Sequence, residues 1–151
     1  MAKPEDTLTL ETTKGNVVIA MRPDLAPGHV ARIKELVKSG FYDGIVFHRV
    51  IDGFMAQTGC PDGTGMSGSG KKLKAEFNKE PHVRGTVSMA RASNPDSGDS
   101  QFFICFDDAT FLDGQYTAWG NVIEGMDNVD KIKKGEPVSN PDKIIKASLG
   151  A

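Results

Sequence analysis

Apolar and polar positions alternate along most of this chain with the period of two expected of half-buried strands. Leu8-Thr-Leu-Glu-Thr12 and Val17-Val-Ile-Ala-Met21 are the first two such runs, and Lys14-Gly15 between them suits a hairpin. After Pro27 the spacing changes. Val30, Ile33, Leu36 and Val37 recur at helical intervals, with Gly40 as terminator, so a helix is predicted there. Strand-like runs rich in β-branched and aromatic residues then follow at Ile45 to Ile51, Phe54 to Thr58, Gly85 to Ala90, Gln101 to Phe106 and Thr117 to Ile123. Met126, Val129 and Ile132 predict a second, short helix over Gly125 to Lys134, and Ile144 to Leu149 closes the series. Many strands with few helices disfavour a parallel βαβ sheet and favour a closed antiparallel barrel or a sandwich. Glycine-rich loops from Gly59 to Gly70 and from Ser93 to Ser100 interrupt the pattern. Loops of that length either border function or merely connect, and pattern does not separate the two.

Composition narrows the function classes. The 151 residues suit one domain spanning 1–151. A chain of this size buries roughly 68–70% of its unfolded surface, enough to fold without a disulfide or metal. Eighteen basic residues against twenty acidic ones give a formal charge of −2, which argues against nucleic acid or a membrane surface as partner. No apolar run approaches the ~20 residues of a membrane span, and the polar start at Met1 lacks a signal-peptide core, so a cytoplasmic protein is expected. Cys60 and Cys105 form no CxxC pair and read as small buried hydrophobes. His29, His48 and His82 are scattered, and no metal-ligand spacing is present.

Two motifs mislead. Gly63-Thr-Gly65-Met-Ser-Gly68 matches the dinucleotide fingerprint, but no crossover helix can follow it before Pro81. The stretch Gly65 to Lys72 falls one residue short of a phosphate loop, because Lys72 stands where Ser or Thr would hold magnesium. There is no Gly-x-Ser-x-Gly elbow, and the Asp107-Asp108 pair and the Lys71, Lys72 and Lys74 run read as solvated loops.

What remains is Phe47-His-Arg-Val-Ile-Asp-Gly-Phe-Met-Ala-Gln57. Alternation puts Phe47, Arg49 and Ile51 on one face up to the Asp52-Gly53 bend, with Met55 and Gln57 sharing another parity beyond it. Further on, Gln101 and Phe103 share a face while Phe102, Ile104 and Phe106 take the core side, which would set an Arg and two Gln beside Phe and Met on an outer barrel surface. From pattern alone, Arg49 reads more readily as a salt-bridge partner than as a catalyst.

That segment, with Gly85-Thr-Val-Ser-Met-Ala-Arg91, Ser100-Gln-Phe-Phe-Ile104, Phe111-Leu-Asp-Gly114 and Gly125-Met-Asp-Asn-Val-Asp-Lys-Ile132, resembles the cyclophilin family of peptidyl-prolyl cis-trans isomerases. The motifs keep the family's order from about residue 5 to 149. The resemblance implies a mainly β fold, a closed eight-stranded antiparallel barrel capped by two helices. It implies Arg49 as the catalytic arginine and Gln57 as its orienting amide. Phe54, Met55, Phe103 and Leu112 would line a proline pocket, and Ala90, Arg91 (through its backbone) and Gln101 a peptide groove. His48 and Phe111 would stand at the groove's edge, and the loop from Gly63 would border a neighbouring subsite. Phe111 and Tyr116 replace the Trp and His of the best-known eukaryotic members, so cyclosporin binding is expected to be weak. The implied partners are proline-containing peptides and unfolded or flexible protein segments, acted on by a monomer without cofactor. Two rivals carry their own signatures: a peptide-binding module would lack Arg49 or Gln57, and a ligand-carrying barrel would turn apolar residues to a lumen.

Overall fold

The computed structural model describes residues 4–65, 67–136 and 138–150. Eight strands run as β1 (Thr7–Thr12), β2 (Gly15–Met21), β3 (Arg49–Ile51), β4 (Met55–Thr58), β5 (Thr86–Met89), β6 (Phe102–Cys105), β7 (Ala118–Glu124) and β8 (Ile144–Leu149). Helix α1 (Pro27–Lys38) follows β2, and α2 (Met126–Asp130) follows β7. The sheet order is β3-β4-β6-β5-β7-β2-β1-β8, and every ladder is antiparallel.

The ladder does not close into the barrel expected. Its two ends, β3 and β8, make no common ladder. Isolated contacts bridge the gap: Val46 opposite Lys143, Val50 opposite Gly135, and the Phe47 N–H on the Asp142 carbonyl at 2.8 Å. The cause lies in the predicted strand 45–51, of which only the last three residues are extended and paired as a strand. Phe47 and Val50 both turn inward, a spacing of three that no continuous strand permits. Phe47 therefore leaves the face of Arg49 and Ile51 assigned to it by alternation.

Helix α1 buries His29, Val30, Ile33, Leu36 and Val37. Pro27 starts it, and the carboxylate of Glu76 accepts the exposed N–H groups of Gly28 and His29 at 3.0 and 2.8 Å. Gly40, at φ 78°, ends it, with Phe41 N–H on Leu36 and Gly40 N–H on Val37. Helix α2 is shorter than the predicted span to Lys134, because the chain leaves it in a turn at Lys131.

Two apolar clusters divide the molecule at the sheet. The inner one includes Trp119, Tyr42, Phe47, Phe102 and Ile104, all without exposed surface, and fills the space under the sheet and α1. The outer one, Met55, Phe103, Cys105, Ala109 and Leu112, lies on the opposite face. Phe102, Ile104 and Phe106 point inward as alternation requires, and Phe103 outward. Residues lining the interior are packed side chains, so the ligand-carrying barrel finds no support here.

Candidate functional site

Strand register assembles the site. Across β3 and β4, Arg49 faces Gln57 and Ile51 faces Met55; across β4 and β6, Gln57 faces Phe103 and Met55 faces Cys105; across β5 and β6, Ser88 faces Phe103. Directly opposed residues share a sheet face. Arg49, Gln57, Phe103 and Ser88 thus form one row over four strands on the outer face of the sheet.

Within that row the polar groups are chained. The Arg49 Nη1–H donates to Gln57 Oε1 at 3.3 Å, and Gln57 Nε2 donates to Gln101 Oε1 at 2.9 Å. Gln101 Nε2 in turn donates to the carbonyls of Gly65 and Ser67 at 3.0 and 2.9 Å. Because each acceptor is met by a donor, the chain fixes both amide orientations. The Nε–H of Arg49 donates to Glu136 at 2.5 Å. The salt bridge favoured by pattern alone therefore exists, alongside the Gln57 contact.

Beneath the guanidinium lies a cleft of about 110 Å³, lined by Arg49, Phe54, Met55, Gln57, Ala90, Arg91, Phe103, Leu112 and Tyr116. Phe54 and Leu112 come from the connections after β3 and β6, and Met55 and Phe103 from the strands. Gln57, Ala90 and Arg91 also border a longer cleft of about 450 Å³ along Gly65, Ser67, Gly68, Gly70, Lys72, Asp99 and Gln101. The glycine loop is held there by the Asp99 carboxylate, which accepts the Ser69 and Gly70 N–H groups at 2.9 and 3.0 Å. Gly59 begins this loop at φ 98°, and a Cβ on it would collide with the Ser100 carbonyl.

The comparisons with known proteins agree. The family model described as cyclophilin type peptidyl-prolyl cis-trans isomerase/CLD matches residues 7–149. A probable peptidyl-prolyl cis-trans isomerase of Brucella suis is 55% identical, over 99% of this chain and 85% of its own. The chain belongs to the cyclophilin family. It is a peptidyl-prolyl cis-trans isomerase. A Helicobacter pylori peptidyl-prolyl cis-trans isomerase is 46% identical over 87% of this chain and 83% of its own. Among solved structures, a cyclophilin from Hirschia baltica superposes with a TM-score of 0.91 at 33% identity, covering 98% of this chain and 75% of the other. A cyclophilin-type isomerase of Cryptosporidium parvum, crystallised in the presence of the dipeptide Ala-Pro, gives 0.89 at 27% identity over 96% and 99%.

Of the residues expected at this cyclophilin's groove, His48 stands apart. His48 is buried below Gly65, lines neither cleft, and its Nδ1 has no partner among the described residues. Burial first, and then the Arg49 charge, hold its imidazole below the usual range, so it is neutral at pH 7. Phe111 is 68% exposed and leans on Phe54 at the rim, with 5.7 Å between centroids. The Arg91 guanidinium donates to the Gln115 carbonyl and covers the Tyr116 ring at 4.5 Å, which leaves its backbone at the cleft.

Two other groups carry no local sequence signal. Glu136 is one. The other is His82, which joins Ser88 Oγ at 2.9 Å and Asp113 Oδ1 at 3.0 Å and stacks under Phe103 at 26°. His82 was legible only as an isolated histidine, since its partners lie on three separate elements. Among the described residues no group of three His, Cys, Asp or Glu side chains is placed to hold a metal ion.

Proposed function

We propose that Arg49 is the catalytic donor of the isomerisation, that Gln57 orients it, and that the prolyl ring of a peptide or flexible protein segment sits in the cleft under it. The observation that carries this reading is the guanidinium chained to Gln57 and Gln101 directly over a cleft walled by Phe54, Met55, Phe103 and Leu112. Rotation about an amide costs ~18–20 kcal/mol because resonance stiffens the C–N bond. For X-Pro bonds both isomers are populated and exchange over tens to hundreds of seconds. Rotation breaks no covalent bond, so the chemistry asks for no nucleophile, metal or nucleotide.

Resonance weakens if the prolyl nitrogen regains its lone pair and accepts a hydrogen bond. Arg49 supplies a donor that keeps its charge at any physiological pH. The apolar walls hold the ring while the carbonyl side turns, and lower the local dielectric around the guanidinium. An acceleration of about five decades requires about 7 kcal/mol at 1.36 per decade. One charged hydrogen bond at ~1.5–3 kcal/mol does not reach that, so desolvation and groove contacts share the work. The longer cleft beside Gln101 takes the peptide flanking the proline, supported by its continuity with the first through Gln57, Ala90 and Arg91. We further propose that the protein is cytoplasmic and a monomer; the two free cysteines are consistent with that reducing compartment.

The test is a coupled assay on one cis-prolyl peptide. Arg49→Ala is expected to lower kcat/KM by roughly 10²–10³, by analogy with losing an oxyanion donor. Arg49→Lys should recover part of that, keeping the charge without the planar fork. His48→Gln should be mild, and the rate nearly flat from about pH 6 to 9, because no proton moves. An active Arg49→Ala protein whose rate falls in a sigmoid at or below about pH 6.5 would name the wrong residue.

A further inference from the structure

The guanidinium of Arg49 has two partners, and only Gln57 lies on the sheet beside it. The second, Glu136, arrives from the connection between α2 and β8. Its placement is set one residue earlier: Gly135 and Val50 exchange both backbone hydrogen bonds, each at 2.8 Å. Val50 is the immediate neighbour of Arg49 in β3. That backbone pair brings the carboxylate to the Nε edge of the guanidinium.

The contact with Gln57 is long at 3.3 Å and engages one Nη1 proton. A single contact of that kind leaves a guanidinium free to swing about its stem. Two contacts on different nitrogens fix its plane. With Nε and Nη1 both engaged, Nη2 has no partner among the described residues and remains for the substrate. We infer that Glu136 is a positioning residue for the isomerisation, acting through Arg49; this rests on Arg49 being the catalytic donor. Glu136 holds the plane before substrate arrives, so less side-chain freedom is lost in reaching the transition state. The role requires an acceptor oxygen at Nε. A formal charge is not required, and an amide in place of the carboxylate fulfils it.

The pair is half-open to solvent, with side-chain exposures of 42% and 56%, so the effect is modest. The experiment measures Glu136→Gln, Glu136→Ala, Arg49→Ala and the Glu136→Ala/Arg49→Ala double variant in the full chain, against one cis-prolyl peptide. Glu136→Ala is expected to lose about two- to fivefold in kcat with KM unchanged, the size of an exposed ion pair. Glu136→Gln should match wild type. The proton–nitrogen NMR signal of the Arg49 Nε–H should stay protected from solvent exchange in wild type and in Glu136→Gln, and lose protection in Glu136→Ala. In the Arg49→Ala background, removing Glu136 should change nothing.

Full kcat in Glu136→Ala would overturn the inference. So would equal losses in the Gln and Ala variants, which mark a charge effect, or a gain in either, which marks a competing anion. A loss that persists in the Arg49→Ala background would mark a merely structural contact, and equally overturn it. If Arg49→Ala is fully active, the reading of the site fails first and the role of Glu136 with it. If Arg49→Ala is inactive while Glu136→Ala is intact, the inference about Glu136 alone fails.

Discussion

Replacing His82 by Leu should weaken both the fold and the cleft proposed for the proline, and the structure sets the size of each effect. The His82 N–H on Asp113 and the Ala109 N–H on the His82 carbonyl, both at 2.7 Å, are backbone donors and survive the change. What is lost is the ring. Asp113 is a carboxylate acceptor, so Nδ1 carries the proton and Nε2 accepts from the Ser88 hydroxyl. Ser88 has no exposed surface, and stranding its hydroxyl costs about 1–3 kcal/mol. Asp113 is 35% exposed, so water replaces most of its lost bond, for less than about 1 kcal/mol. Leu is apolar and fills much of the vacated space, which limits any cavity cost. The sum is about 1–4 kcal/mol, read as a shift of the urea midpoint at constant slope. Phe103 loses the ring stacked beneath it, and the turn Thr110–Leu112 loses a side-chain tie, so KM should rise more than kcat falls. Ser88→Ala alone should cost a similar amount. The double variant should cost less than the two added, because removing both partners of a buried bond is nearly neutral. Stability within about 0.5 kcal/mol of wild type in His82→Leu, or strict additivity, would refute the bond.

Three further outcomes are expected. His29, His48 and His82 are all held below the ordinary imidazole range, chiefly by burial. The unfolded chain therefore takes up protons near pH 6.5 that the native protein resists, so stability is full above that value and falls as pH drops below it. The slope reaches at most about 1.4 kcal/mol per pH unit for each histidine, and melting temperatures that stay level from about pH 7.5 to 5 would contradict it. Burial first, then the Asp113 charge, push the Cys105 thiol up to about 12, whereas Ser67 and the Gly65 N–H outweigh burial at Cys60 and lower its thiol. Both thiols are fully buried, so native protein should react slowly at either, while denatured protein without reductant should titrate both; a titre of zero would show a bridge. Phe111→Trp should improve weak cyclosporin inhibition about two- to twelvefold through one added N–H donor at the open rim, and unchanged titrations would remove Phe111 from that rim.

What the sequence made legible was whatever depends on neighbours within one strand or helix. Val30, Ile33, Leu36 and Val37 bury as their spacing requires, and Phe102 and Phe103 part to opposite faces as alternation requires. Alternation fails at Phe47, where a seam of isolated bridges replaces a strand and the side chain turns inward. It set an Arg and two Gln beside Phe and Met on one outer surface without saying which of them meet across strands. The register of β3 against β4 pairs Arg49 with Gln57 and Ile51 with Met55. Most of the proposed site became legible through resemblance to a family, which transfers positions without their contacts. His48 shows the limit of that transfer: it is next to Arg49 in sequence and under the glycine loop in space. Glu136 and Asp113 each act across long stretches of chain, on Arg49 and His82 respectively. No local pattern marks such a carboxylate, because its partner is chosen by the fold.

Ser88, His82 and Asp113 have the connectivity of a hydrolytic triad, hydroxyl to imidazole to carboxylate. Connectivity alone does not decide what such a set does. A nucleophile must reach a carbonyl carbon, yet Ser88 is fully buried and lines neither cleft. Its hydroxyl proton is committed to His82, and Phe103 lies over the imidazole. The same three groups therefore serve packing: they pin the floor on which Phe103 stands. On the solvent side of Phe103, the half-buried chain of Arg49, Gln57 and Gln101 presents donors whose directions are fixed by one another. The proposed isomerisation by Arg49 would use that division of labour, a rigid apolar seat for the ring and one aimed donor above it. Loosening the seat should act on binding, and unaiming the donor on turnover. His82→Leu and Glu136→Ala, assayed side by side, are expected to separate along those lines, the first in KM and the second in kcat. If both moved the same parameter, seat and donor would not be independent parts.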